Sequence, residues 1–512
     1  MGLSICVFTL VPMKMTSLFE PLFRLAARAL LSFAVLATLS SSSVAACHVV
    51  KEGGSGKADG SNWNNALPDL PVSLARGDVY VLATGNYGAH HFNDPDAGDK
   101  QIEVRAATTA SHCSDTGWNP SYVGPAVFRA TKRNAGNVLS FSTDFYLVNG
   151  VYRSTSTGQP FVDWKSGYGF KIDNSNQFAC GSDIGGGNPG GPSYVHDIAL
   201  QYLEVSGSHD RTSSCTDDEI AFGAGSFNLR FQYLYVHDAG NNNFLLAGNH
   251  GHPGGGAGYG PGTNVRIEDS FVSYDCCTKG AHGQACQCSE GLQNLTIAHN
   301  IFANMVSTAF IATASAAGYN SGNGPNGPWY IYGNVFLSDD PKNCAVGDGV
   351  LAVWDATFTD NIYFLNNTIA NLGTRSCPGQ LNTGFGLGLG MITHLKELIV
   401  ENNLWWNCDV ITVIPTGTRH WNGAEFASVT WSHNAYFRSH SSSGTNDSDR
   451  GKQVSTTDPF MNSSAFDFRL GVHTDTGSGT STSVPANDID LLQRRRGTEN
   501  NWDRGAFQQI TR

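Results

Sequence analysis

The run Leu295-Thr-Ile-Ala-His-Asn300-Ile-Phe-Ala-Asn304 places apolar residues at alternate positions, breaks at Asn300 and starts again. The pattern returns in Tyr330-Ile-Tyr-Gly-Asn334-Val-Phe-Leu and in Ile362-Tyr-Phe-Leu-Asn-Asn367-Thr-Ile-Ala-Asn371. It returns again in Leu398-Ile-Val-Glu-Asn-Asn403-Leu-Trp and Val429-Thr-Trp-Ser-His-Asn434-Ala-Tyr. Earlier copies keep the strands and lose the Asn, breaking at Leu203, Leu234 and Ser270, and Phe145-Tyr-Leu-Val-Asn-Gly150 begins the series. The break positions 203, 234, 270, 300, 334, 367, 403 and 434 are 30 to 36 residues apart, with a mean of 33. Alternation of period two marks strands. Val, Ile, Tyr and Phe between Asn-Asn or Gly-Asn breaks are β chemistry, unlike the helical repeats that share this period. One such unit cannot bury its apolar face alone, so the units must stack.

The Asn at each break has a structural reading. Asn tolerates left-handed backbone, and its amide can bond to the equivalent Asn one coil away. Asn300, Asn334, Asn367, Asn403 and Asn434 are therefore expected to form a ladder rather than a catalytic row.

The composition agrees. Charged residues make 14% of the 512 and Gly numbers 59. An average soluble domain has about 25% charged residues and about 7% Gly. This excludes a coiled coil, a charged disordered chain and a mostly helical protein. The net charge of −12 makes nucleic acid a poor partner and confines any polyanion to a local cationic site.

Repeats of this form resemble right-handed parallel β-helix proteins of the pectate-lyase-like superfamily. The opening Cys47-His-Val-Val with Trp63-Asn-Asn-Ala-Leu67, the stretch Arg76-Gly-Asp-Val-Tyr-Val-Leu-Ala-Thr-Gly-Asn-Tyr87 and the endings Phe466-Asp-Phe-Arg-Leu470 and Asp503-Arg-Gly-Ala-Phe507 share the likeness. It covers about residues 47 to 507. It implies an all-β solenoid of a single strand-coil-strand path, acting on an extracellular polysaccharide, with Ca2+ as a candidate cofactor. The expected division is a signal peptide over 1–46, an N-terminal cap and first coils over 47–140, repeats over 141–440, and a C-terminal coil and cap over 441–512. The Gly- and Ser-rich insert 153–197 reads as a long loop carrying Cys180.

Lys14, Arg24 and Arg28 precede the apolar run 29–39, and small residues lead to Cys47, the form of a secretory signal. That run is short for a membrane span. Export, a monomer and no transmembrane span are expected. Twelve cysteines suit an oxidising compartment. Val44-Ala45-Ala46-Cys47 also resembles a lipoprotein processing site, so Cys47 is left as lipidated, bridged or free. Cys276-Cys277 and Cys286-Gln287-Cys288 lack zinc-type spacing and read as disulfides pinning a loop. Arg494-Arg495-Arg496 reads as a solvated patch, and of Trp405 and Trp406 one should point inward, the other packing under a loop.

Equivalent residues in adjacent coils stand about 4.8 Å apart, so a common offset from the break gives a line. Offset +4 gives Asp238, Tyr274 and Asn304; offset +9 gives Asn243, Lys279 and Ala309, with Phe310 one position further on. Thus His237, Asp238, Asn241, Asn242, Asn243, Asp275, Lys279 and His282 are expected on one face, with His250, His252 and Tyr259 in the Gly-rich loop between. Two chemistries fit. In β-elimination at a uronic acid, Lys279 or His282 would be the base and His237 or Tyr259 the acid. Asp238 and Asp275 would hold Ca2+, while Asn241, Asn243, His250 and His252 would bind substrate. In glycoside hydrolysis, Asp238 and Asp275 would be the carboxylate pair. The paired-Asp motif of β-helix polygalacturonases is absent, and the Lys- and Arg-centred lyase motifs have no close copy. A third reading is a non-catalytic carbohydrate-binding or adhesion surface, and turn-capping roles for these residues are the bland alternative.

Overall fold

A computed structural model describes residues 45–512 except 133–135, 177, 180, 188–193, 209–217, 224, 247–261, 276–282, 289–290, 306–308, 315–325, 339–348, 355, 358–359, 373–387, 390–391, 394, 409–410, 412–413, 422–423, 440–448, 475–483, 485–486, 498–501 and 510–512. Residues 47–512 form one compact unit. Three long sheets carry most of the described strands, and in the middle coils each turn of the chain adds one strand to each. Sheet A holds 13 strands, sheet B 12 and sheet C 9. A typical coil runs His196–Gln201 in A, Leu203–Ser206 in B and Asp218–Phe222 in C. All pairings within the three sheets are parallel except the short hairpin strand His420–Trp421. This is a right-handed parallel β-helix. Among the described residues no helix is long and apolar enough to cross a membrane.

The inward rows are the repeat's apolar positions. In sheet A, Val148, Leu200, Phe231, Ile267, Ile297, Ile331, Phe364, Val400 and Trp431 stand in one register and none is more than 2% exposed. Each such side chain contributes roughly 1.5–3 kcal/mol by leaving water, an upper estimate.

The ladder forms as expected. The amide Nδ2 of Asn300 donates to Oδ1 of Asn334 at 3.1 Å, Asn334 to Asn367 at 3.0 Å, Asn367 to Asn403 at 3.1 Å, and Asn403 to Asn434 at 3.0 Å. Each Oδ1 also accepts the backbone N–H of the Asn before it. Asn434 closes the series on Asp449. The left-handed conformation falls one residue earlier than expected, on Tyr202, Tyr233, Asp269, His299, Asn366, Asn402 and His433. Gly333 takes that place in one coil at φ +66°, where a Cβ would come within 2.6 Å of the His299 ring. The ladder Asn is thus selected for its amide and its neighbour for the turn.

Within 47–140, Cys47–Val50 pairs with Val79–Leu82 and that strand with Ile102–Ala106, so sheet A already runs through these residues. Several expectations are revised. The 153–197 insert is no simple loop. It carries a helical turn Pro160–Asp163 and supplies Phe170–Asp173 to sheet B and Ser182–Gly186 to sheet C. Cys47 is bridged to Cys113, which ties the first strand down and leaves its thiol unavailable for lipid. Cys286 and Cys288 bridge within one strand, both facing the core, instead of pinning a loop. Cys180, Cys276 and Cys277 lie outside the described residues. Arg496 is buried and donates to the carbonyls of Ile489, Gly505 and Ala506, and Arg494 pairs with Asp490, so of that run only Arg495 is solvent-exposed. Trp405 points into the core and Trp406 packs under the C-terminal segment, as alternation predicts.

The C-terminal segment does more than cap the end. Phe460, Phe468, Leu470, Leu491, Ala506 and Phe507 turn back along the outside of sheet B and cover Phe271, Ile301, Val335, Leu337, Leu404, Trp406 and Phe437. The outer face of sheet B is left uncovered by this segment only in the earlier coils.

Candidate functional site

On those earlier coils the outward residues of sheet B are polar. Register places Lys171 beside Glu204 and Glu204 beside Tyr235, with Asp173, Ser206 and His237 forming the next row. Strand alternation sends all of them outward, because Ile172, Val205 and Val236 between them fill the core. Lys171 Nζ donates to Glu204 Oε1 at 2.6 Å. His237 lies between two carboxylates, with Nδ1 2.7 Å from Asp238 Oδ2 and Nε2 3.5 Å from Glu204 Oε1. Its ring stacks on Tyr235 at 4.0 Å. Arg129 pairs with Asp173 at the edge of the same patch.

The electrostatics follow from this arrangement. Burial alone would lower the His237 pKa, but the hydrogen bonds and charges of Asp238 and Glu204 outweigh it and raise the value. Burial would raise that of Glu204, yet His237 and Lys171 hold it below the ordinary carboxylate range. The cluster therefore alternates basic and acidic side chains, Lys171, Glu204, His237 and Asp238, and this order favours the protonated form of His237. The His237 side chain is 12% exposed and that of Asp238 37%, so the proton lies beneath a solvent-facing carboxylate. His237 Nε2 is buried, and its contact with Glu204 Oε1 is long at 3.5 Å.

The other predicted residues divide. Asp238 sits at φ +65°, with Asn304, Asn371 and Asn407 in the same left-handed role at the B-to-C corner, so its offset row is a row of turns. Asp275 is registered against Ala239, not against Asp238, which separates the two expected partners by one position. Asn241 Nδ2 donates to Asp218 Oδ1 at 2.8 Å, and Asn242 does so at 2.9 Å. Burial raises the Asp218 pKa against those bonds. Asn243 is fully buried on the inward side of the corner, so it does not meet a surface-bound polymer. Its row runs from Val138 through Asp183 and Glu219, then past Asn243 to Ala285 and Phe310. Ala285 thus holds the place that a fixed offset gave to Lys279. Lys279, His282, His250, His252 and Tyr259 lie outside the described residues. Gly207 lets the Glu219 carboxylate approach the corner, where a Cβ would meet Oε1 at 2.0 Å.

Sequence reasoning missed Lys171, Glu204 and Asp218. Glu204 and His237 do carry a signal, standing one and three residues past their breaks, where alternation points outward. Ca2+ binding needs several oxygen ligands around one point. Among the described residues no three His, Cys, Asp or Glu side chains stand together in that way, and Asp238 is engaged by His237. The described residues do not fit a Ca2+ site.

No protein-family model and no curated protein matches the chain. Among solved structures, pectate lyase Pel9A is similar over 89% of this chain and 98% of its own, at 14% identity and a TM-score of 0.45. A GH136 lacto-N-biosidase from Eubacterium ramulus matches over 85% and 70%, at 10% identity and a TM-score of 0.35. A PL6 family polysaccharide lyase from Pseudopedobacter saltans matches over 83% and 90%, at 10% identity and a TM-score of 0.33. Likeness at this level assigns no reaction. What the chain's own strand ladders establish is the architecture, a right-handed parallel β-helix.

Proposed function

We propose that this is an exported enzyme that cleaves a uronic-acid-containing polysaccharide by β-elimination. The observation that supports it most is the His237 ring held between Asp238 and Glu204 on the outer face of sheet B, beside the cluster that Phe161 and Trp164 form with Phe271 and Tyr235. Elimination removes the C5 proton, forms the C4–C5 double bond and breaks the bond from C4 to the glycosidic oxygen, which must then take a proton. A histidine kept protonated is suited to that last role. Contact with substrate requires the Glu204 carboxylate to yield its long contact with Nε2. Lys279 or His282 is the base in this reading, and Tyr259 the alternative acid. Lys171 supplies positive charge for the substrate carboxylate, and such charge in a water-poor site stabilises the developing enolate. No step is routed through Ca2+.

The hydrolase alternative would use Asp238 and Asp275 as its carboxylate pair, one register position apart on neighbouring strands. The test is incubation with pectate, alginate and glucuronan while following absorbance of the unsaturated product. New reducing ends without that absorbance would indicate hydrolysis. If product forms, Lys279→Ala should abolish it, and retained activity would move the base to His282. Dialysis against EDTA should leave the rate unchanged, whereas loss restored by Ca2+ would add a metal to the mechanism.

A further inference from the structure

The outer face of sheet A carries a different pattern from the site on sheet B. Register lines up Arg230, Arg266, Thr296, Tyr330, Tyr363 and Ile399 on six consecutive strands. They alternate with core residues and so lie on the outer face of sheet A, spaced about 4.8 Å per coil, with Thr296 buried and Tyr330, Tyr363 and Ile399 partly buried against Tyr332, Leu365 and Val484. Arg230 and Arg266 have side chains 48% and 45% exposed. Both lean on one carboxylate: Arg266 Nη2 is 2.5 Å from Glu268 Oε1 and Arg230 Nε 3.8 Å from Oε2. Two guanidiniums against one acid leave a net positive charge, on a chain whose total is −12. The Tyr330 and Tyr363 rings stack at 5.1 Å and 7° between planes, and the Tyr363 hydroxyl accepts from Asn361 Nδ2 at 2.8 Å.

We propose that this row is a second, non-catalytic binding track for a linear acidic polysaccharide. Ligand choice follows from charge and periodicity. A guanidinium fork accepts a carboxylate in two parallel hydrogen bonds and keeps donors to spare beside Glu268. A polymer with one carboxylate per sugar, laid along the helix axis, meets a new coil at about each sugar ring. The tyrosine hydroxyls then meet sugar hydroxyls further along the same line. The alternative is that the row only stabilises the solenoid surface. The proposal shares the acidic-polysaccharide class with the reading above and is independent of the cleavage chemistry. Its use would be to hold a long polymer to the enzyme, raising the local concentration of sugar at the other face.

The test is affinity electrophoresis of the full chain through gels containing polygalacturonate or alginate, with dextran as the neutral control. The wild type should be retarded by the acidic polymers alone, and less so as salt rises. Arg230→Gln with Arg266→Gln should weaken that retardation at least about tenfold, since two charge-assisted pairs are lost. Turnover of a short oligouronide should not change. If the Gln variant does not fold, Arg230→Lys with Arg266→Lys keeps the charge and loses the fork, and should show an intermediate Kd. Equal retardation of wild type and folded variant would overturn the track, as would elimination activity without any retardation. Retardation without elimination would keep the track and remove the cleavage reading.

Discussion

The outer face of sheet B divides into two stretches built on the same strand positions. From Phe271 onward its outward residues are apolar, Ile301, Val335, Leu404 and Phe437 among them, and the chain's own C-terminal segment lies over them. Before Phe271 the same positions hold Arg129, Lys171, Asp173, Glu204 and His237. Backbone geometry is shared, so the difference lies in what each stretch faces. A face covered by Phe468 and Phe507 must be dry and apolar. A face left to solvent can carry charges, and a row of charges at coil spacing is forced into mutual pairing. That pairing keeps His237 protonated and Glu204 ionised.

The largest effect should come from the covered half. Phe468→Ala should cost about 3–5 kcal/mol in denaturant unfolding, as for any fully buried Phe. A cost below about 1 kcal/mol would mean that the segment is not packed there. In the polar half, His237→Gln should change stability little by comparison and lower the elimination rate about 10²- to 10⁴-fold, the usual value of a positioned acid. The interior offers a third point of reference. Asn367→Ala leaves the backbone N–H of Asn334 and the carbonyl of Ile331 unsatisfied, at about 1–3 kcal/mol for each buried group. An effect confined to one end of the solenoid, read by hydrogen exchange, would show that the ladder acts locally.

A pH profile sharpens the contrast further. The raised His237 pKa gives a stabilising contribution that is full below the unfolded value of about 6.5 and is lost as pH rises through the folded value. The rate should fall across the same alkaline limb, because the acid loses its proton. Glu204→Gln removes one of the two carboxylates and should move that limb to lower pH. Smallest of all, Lys171→Met should change stability by less than about 1 kcal/mol, since the pair is partly exposed. A KM increase with kcat unchanged would place Lys171 on the substrate carboxylate.

The repeat made the solenoid and its ladder legible, because Asn300 to Asn434 each answer to a fixed distance from an apolar run. The first coils were legible through a resemblance of their stretches and not through the repeat. Their strands at Val79–Leu82 and Ile102–Ala106 lack a regular break residue, and the tie between Cys47 and Cys113 is a contact of coils rather than of sequence. The site was half legible for a related reason. His237 stood out as a titratable residue beside a break. Its partners Glu204 and Lys171 lie one and two coils away across spans of unequal length, and fixed offsets drift when loops differ. The drift that put Lys279 where Ala285 stands left Lys171 unnoticed.

The most direct measurement is the absorbance of 4,5-unsaturated uronate released from pectate, alginate and glucuronan by the wild type and by His237→Gln. Absorbance should rise with the wild type on at least one polymer and fall at least about tenfold in rate with the variant. No unsaturated product from any of the three, or an unchanged rate in the variant, would contradict a catalytic role for the polar half of sheet B.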